Sequence, residues 1–216
     1  MFAHAAALPI APTANHFLDP QVRDLLAQSQ PGLVSFYPAD AMIYAQGDRT
    51  GPLYLVEFGT VRICQMTADG RRQITSFCYA GDVFGLEPGA EHECYAESVD
   101  GAGIRVLRPA NAAGFAQKLL SLALRHFARM QSHLVLLGRL SANEKLASFL
   151  SDLLDREDGR TIHLPMQRSD IADYLGITFE TVSRVLRVLK DRGIIRITAV
   201  DRIEIVDANA LRTLSD

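Results

Sequence analysis

The chain has 216 residues, of which 48% are hydrophobic and 22% charged, with a formal net charge of -3. This is ordinary globular composition, long enough for two modest domains or one large one, and its charge neither supports nor excludes nucleic acid, since such a binder must concentrate its cations locally. Three widely spaced cysteines, Cys64, Cys78 and Cys94, with no CxxC pair argue against a disulfide framework and a zinc knuckle; with no apolar run near the roughly 18 residues of a membrane span, they fit a cytoplasmic protein.

Residues 1–16, MFAHAAALPIAPTANH, are rich in alanine and carry two prolines but lack the cationic start of a signal peptide. They read as a flexible tail with too little apolar surface to offset ordering. From Phe17 to Pro109 the pattern changes every few residues. A short helix around Pro20–Ser29 leads into apolar runs (LYLVEF, VRICQM, QITSFCY, GIRVLR) separated by turn chemistry. VRICQM and QITSFCY, joined across Thr67–Arg72 with Asp69-Gly70 in the turn, predict a β-hairpin. Many short strands at such intervals predict a β-sandwich or barrel, closed in jelly-roll-like form.

Across 110–140 the turn signals vanish. Leu120, Ala123, Phe127, Met130, Leu134 and Leu137 alternate spacings of three and four, the a/d seam of a long helix. A second line, Leu119, Leu122, Leu136 and Leu140, lies beside it and can pack on the β-domain. A core helix of one subunit is the plainer alternative, but two stripes suit a helix with two partners, one of them a second copy of the chain. Residues 141–216 read as a helix (ANEKLASFLSDLLDRE), a short strand TIHLPM, two closely spaced helices and a β-hairpin from GIIRIT to RIEIVD, the order of a winged helix. The predicted fold class is therefore α+β: β-roll, dimerisation helix, winged helix-turn-helix.

Gln167–Asp191, QRSDIADYLGITFETVSRVLRVLKD, carries the function. Ser169 is placed to cap the first helix and Asp170 to favour its dipole. Ile171 and Leu175 face inward, Ala172 permits close contact, and Gly176 supplies the turn. Thr178 caps the second helix, whose inward stripe is Val182, Val185, Leu186 and Leu189. Together these spacings are the helix-turn-helix pattern. Glu180, Thr181, Ser183, Arg184 and Arg187 project outward. Arginine can donate two bonds to guanine and glutamate can accept from cytosine, so Glu180 and Arg184, one turn apart, are base-reading candidates. From Phe179 to Arg202, Arg184, Arg187, Lys190, Arg192, Arg196 and Arg202 stand against Glu180, Asp191 and Asp201. Arg168, Thr181, Arg187 and Arg196 are the candidate phosphate contacts. An enzyme is disfavoured: no HxH pair, phosphate-cradling loop or nucleophile elbow occurs, and only His92 lies in the β-region.

FETVSR preceded by IADYLGIT resembles the CRP/FNR superfamily of bacterial regulators, on its FNR/FixK side. YAQGDRTGPLYLVEFGTVRICQ and YAGDVFG resemble that family's glycine-punctuated β-roll, so the likeness spans nearly the whole chain. It implies a homodimer on double-stranded DNA at a two-fold TTGA…TCAA site, with Glu180 and Arg184 on the central C·G pair and Ser183 on the neighbouring T·A pair. Phe179 stands where the FNR side has an aliphatic residue, against the outermost base. The resemblance further implies activation through RNA polymerase contact by surface loops such as Gly81–Glu87. Iron–sulfur members need an N-terminal cysteine group, absent here. The cyclic-nucleotide pocket needs a glutamate directly after FG and an Arg-Ser pair; here those places read FGLEP and HECYAES, with no arginine for the phosphate. The reading is a regulator without cofactor or effector. Its rival is a gated regulator using haem, nitric oxide or cysteine oxidation, for which Cys64, Cys78, Cys94 and His92 are the residues to watch, against their plain reading as packed side chains.

Overall fold

Between its turn residues each apolar interval of the N-terminal half becomes a strand. The computed structural model describes residues 19–30, 32–110, 112–138, 141–157 and 159–215; the expected tail 1–16 and Leu140 lie outside these. Two compact units divide inside the long helix, Met1–Arg129 and Met130–Asp216.

In the first unit, α1 (Pro20–Ala27) starts on Asp19, whose carboxylate accepts from the Gln21 amide at 2.8 Å, with proline at the first helical position. Then come β1 (Val34–Tyr37), β2 (Met42–Tyr44), β3 (Leu53–Phe58), β4 (Val61–Met66), β5 (Arg72–Cys78), β6 (Val83–Phe84), β7 (Tyr95–Ser98) and β8 (Ala102–Leu107). They pair antiparallel as two four-stranded sheets, ordered β1-β8-β3-β6 and β2-β7-β4-β5. β3 is buried on both faces, which explains its continuous run LYLVEF. Val56 packs with Tyr44, Val61, Ala96 and Ile104 between the sheets. Leu53 and Leu55 pack outward on Val22 and Leu25 of α1 and on Phe115 and Leu122 of α2 (Ala112–Gly138). The predicted hairpin forms between β4 and β5, its turn closed by the Thr67 amide on the Arg71 carbonyl at 2.9 Å. Gly59, at φ 78°, connects β3 to β4; a Cβ there would stand 2.1 Å from the Gly101 carbonyl oxygen, so no other residue fits.

The two stripes of α2 part company along its length. Leu119 and Leu122 pack against the β-roll core. Leu136 instead is buried within the second unit, a correction to the expected line: it lies about 21 Å further along a helix rising 1.5 Å per residue. Leu120, Leu124, Phe127, Met130, Leu134 and Val135 are all more than half exposed, at 56–67%. Ala123 and Leu137 are half-buried. Leu124 and Val135 widen the exposed apolar stripe beside the expected positions Leu120, Phe127, Met130 and Leu134.

The second unit continues with α3 (Ala142–Leu154), β9 (Thr161–His163), α4 (Arg168–Leu175), α5 (Phe179–Asp191), β10 (Ile195–Ala199), β11 (Arg202–Ile205) and α6 (Ala208–Ser215). Ser141 caps α3, its hydroxyl accepting from the Glu144 amide at 3.2 Å. The small sheet has the order β10-β11-β9. α6 is an element the periodicity did not announce: eight residues with one buried side chain, Leu211, capped by Asp207 on the Ala210 amide at 2.9 Å. It packs on α3, where Arg212 pairs with Asp155 at 2.8 Å.

Candidate nucleic-acid interface

α4 and α5 are held by the residues that the pattern selected. Ile171, Ala172 and Leu175 are 1%, 4% and 0% exposed, and Val182, Val185, Leu186 and Leu189 lie between 0% and 3%. Gly176 is left-handed, φ 62° and ψ 40°, and ends α4 with its amide on the Ala172 carbonyl. Thr178 caps α5, accepting from the Thr181 amide at 3.2 Å. The first cap differs from expectation. α4 begins at Arg168 with Gln167 as its unassisted cap, and Ser169 sits inside the first turn. The bond from the Ile171 amide to the Gln167 carbonyl, 3.1 Å, adds that residue to the helix while burying Ile171. Asp170 does lie in the first turn, where the helix dipole favours a carboxylate.

Above this buried stripe, α5 presents Phe179, Glu180, Arg184 and Arg187 to solvent, with Thr181 and Ser183 partly covered at its N-terminal end. No ion pair among the described residues joins Glu180 to Arg184, so their mutual orientation, which the spacing allows, is not formed and both remain open to a partner. Arg168 comes in from α4, its Nη1 donating to Ser183 Oγ across a long 3.4 Å. Arg196, on β10, pairs with its cross-strand neighbour Glu204 at 2.7 Å; the pair is exposed and can open cheaply. Lys190, Arg192 and Arg202 are exposed as well, so the cationic excess read from the sequence is a surface feature.

Two residues escaped the sequence argument. Ser141 and Asn143, at the start of α3, line a shallow depression of about 300 Å³ with Arg184, Val185 and Val188. The signal available was the S-x-x-E start of α3, but nothing local says that this end meets α5.

In the first unit, Glu87, the shifted glutamate of FGLEP, is engaged internally. Glu87 accepts from His92 Nδ1 at 2.7 Å and from the Glu93 amide. The His92 side chain is wholly buried and stacks on Tyr44, centroids 3.7 Å apart. Burial, reinforced by Glu87 and Glu93, pushes the Cys94 thiol up to about 11. Cys64 and Cys78 are buried. Among the described residues no group of three or more His, Cys, Asp or Glu could hold a metal ion, and no helix is long and apolar enough to cross a membrane.

This arrangement has close relatives. The Crp-like helix-turn-helix domain family matches residues 144–214 and the cyclic nucleotide-binding domain family residues 34–101. The nitrogen fixation regulation protein FixK of Rhizobium meliloti (strain 1021) is 42% identical over 215 residues, 99% of each chain. The transcriptional activatory protein AadR of Rhodopseudomonas palustris is 33% identical over 196 residues, 84% of this chain and 80% of that one. The solved structure of FixK2 from Bradyrhizobium japonicum superposes with a TM-score of 0.82 at 35% identity, covering 87% of this chain and 98% of its own. These relatives are transcription regulators and not enzymes. With the β-roll, the long helix and the helix-turn-helix in place, the chain belongs to the CRP/FNR superfamily of DNA-binding transcription regulators, on its FixK-like branch.

Proposed function

We propose that the protein is a cytoplasmic homodimeric activator that reads a two-fold TTGA…TCAA operator without a small-molecule effector. The observation that carries the reading is the solvent face of α5. Glu180 and Arg184 stand one turn apart near the helix N-terminus, exposed and engaged by no ion pair among the described residues. Together they match the acceptor and donor edges of a C·G pair. Ser183 is assigned the neighbouring T·A pair, and Phe179, 49% exposed, a thymine methyl at the outermost position. Arg168, Thr181, Arg187 and Arg196 surround that face as phosphate contacts.

In this reading residues 17–109 form a sensor-like β-roll, 110–140 the dimerisation helix and 141–216 the DNA-binding domain. The exposed face of α2 supports pairing, since a contiguous row of large apolar side chains is not otherwise left in water. Effector independence is supported by the lack of an arginine for a nucleotide phosphate in HECYAES and by Glu87, whose carboxylate already accepts from His92 and the Glu93 amide. The nearby cleft of about 500 Å³ is lined by Glu91, His92 and Glu93, and among its described lining residues there is no lysine or arginine to hold an anion. Activation is supported by the R. palustris relative, a transcriptional activatory protein. The segment Gly81–Glu87, expected as a surface loop for RNA polymerase, instead carries the buried strand β6 and leaves none of its residues fully exposed, because Val83 and Phe84 pack into the β-roll core.

Selection of bound sites from random DNA, in air and with no added ligand, tests the reading. Enrichment of TTGA…TCAA is the expected result. Failure to enrich a palindrome, or enrichment only with an added nucleotide, would overturn it.

A further inference from the structure

An α-helix leaves its last four carbonyls without partners in the helix, and a helix of only two turns depends on its surroundings to satisfy them. At the end of α4 two side chains from other helices do so. His133, on α2, donates from Nε2 to the Tyr174 carbonyl at 3.0 Å, and buried Lys145, on α3, donates to the Leu175 carbonyl at 3.2 Å. The His133 ring also stacks on that of Tyr174, centroids 4.1 Å apart and planes 14° from parallel. Tyr174 leans in turn on Phe149 of α3 at 5.6 Å. One helical turn further, Leu137 Cδ2 reaches 3.5 Å from where a Cβ on Gly176 would stand. The turn between α4 and α5 is thus clamped to the last turns of α2. Those same turns expose Met130, Leu134 and Val135 on another side.

We infer that His133 and Tyr174 form a positioning joint that fixes the recognition helix α5 to the dimerisation helix and thereby sets the half-site spacing that a pair of chains accepts. The inference rests on the reading that α2 pairs two copies. Adding one base pair between half-sites moves one of them by roughly 3.4 Å and rotates it by roughly 35°. A stiff joint cannot follow that displacement, whereas a loose one can. His133 itself is assigned no contact with DNA. Its donor ties down backbone and its ring ties down a side chain, so the tie resists both sliding and rotation of α4.

The test uses the full-length protein and two substitutions at a half-buried position that leave the core closed. His133→Phe keeps a ring on Tyr174 and removes the donor; His133→Gln keeps a donor. Sedimentation gives the oligomeric state. Binding is then measured to a single half-site, to the palindrome selected from random DNA, and to palindromes one base pair longer and shorter. We expect H133F to remain dimeric and to bind the half-site as the wild type does. Its affinity for the selected palindrome is expected to fall about tenfold, the scale of one hydrogen bond, with less discrimination between spacings. H133Q is expected to restore that discrimination. Unchanged spacing preference in dimeric H133F overturns the joint while leaving the dimer reading intact. So does an equal loss on the half-site and the palindrome, which would make His133 a mere support of the domain. A monomeric wild type overturns both.

Discussion

Arg184 and Arg196 carry the same charge in different settings, and their substitutions should separate. Arg184 is exposed on α5 beside Glu180, whereas Arg196 lies on a strand of the wing against Glu204. Arg184→Ala is expected to cost about 1–3 kcal/mol and to relax preference at one base pair, the mark of a lost bidentate guanine contact. Arg196→Ala is expected to weaken all sequences alike and to lower the salt slope by about one unit per half-site. Competition binding against substituted half-sites, repeated over a salt series, distinguishes them; two sequence-independent losses would remove Arg184 from the base readers. Cys94 offers a second measurement. Burial and two nearby carboxylates oppose its thiolate and push the thiol from 9.0 up to about 11, so it stays protonated at neutral pH. Alkylation there is expected to run about tenfold slower than for an unperturbed thiol, a roughly hundredfold smaller thiolate fraction being offset by a more nucleophilic thiolate, and to keep rising with pH up to about 11. A rate near that of a free thiol would reopen a redox role for this residue.

At the scale of elements, Gly176 and the face of α2 make separate demands. Gly176→Ala would place its Cβ 3.5 Å from Leu137, an ordinary contact, so packing is no obstacle. The left-handed backbone is, and an expected loss of about 1 kcal/mol in urea unfolding measures it. Leu134, 67% exposed, is a sharper probe of pairing than half-buried Leu137. Leu134→Glu is expected to yield folded monomers in sedimentation, and Phe127→Ala to weaken the dimer by about 3–5 kcal/mol. An intact Leu134→Glu dimer would place the pairing surface elsewhere. Spacing defines the stripe on α2, but not which of its residues the chain itself covers, such as half-buried Ala123 and Leu137.

For the whole molecule the question is whether the β-roll still answers to a ligand. A nucleotide present at a hundred times its dissociation constant would stabilise the folded chain by about 2.7 kcal/mol. With Glu87 bonded to His92 and Glu93, no such gain is expected. Thermal melting with cyclic nucleotides and operator binding in air should both be indifferent to them. A dose-dependent rise in melting temperature would favour the gated reading.

The sequence by itself determined the order of the main elements apart from α6, the hairpin at Asp69-Gly70, the helix-turn-helix and its inward stripe, and the local excess of cations. These follow from periodicity, caps and turns, which act between residues a few positions apart. Only the tertiary structure decided which side of α2 meets the β-roll, where Leu136 is buried, that Arg196 is paired with Glu204, that Glu87 is bonded by its own loop, and that His133 caps α4. The same holds for Ser141 and Asn143 beside Arg184. Each is set by where the folded chain brings a donor, an acceptor or an apolar surface. For contacts made across helices, such as the 41 positions between His133 and Tyr174, local spacing carries no information.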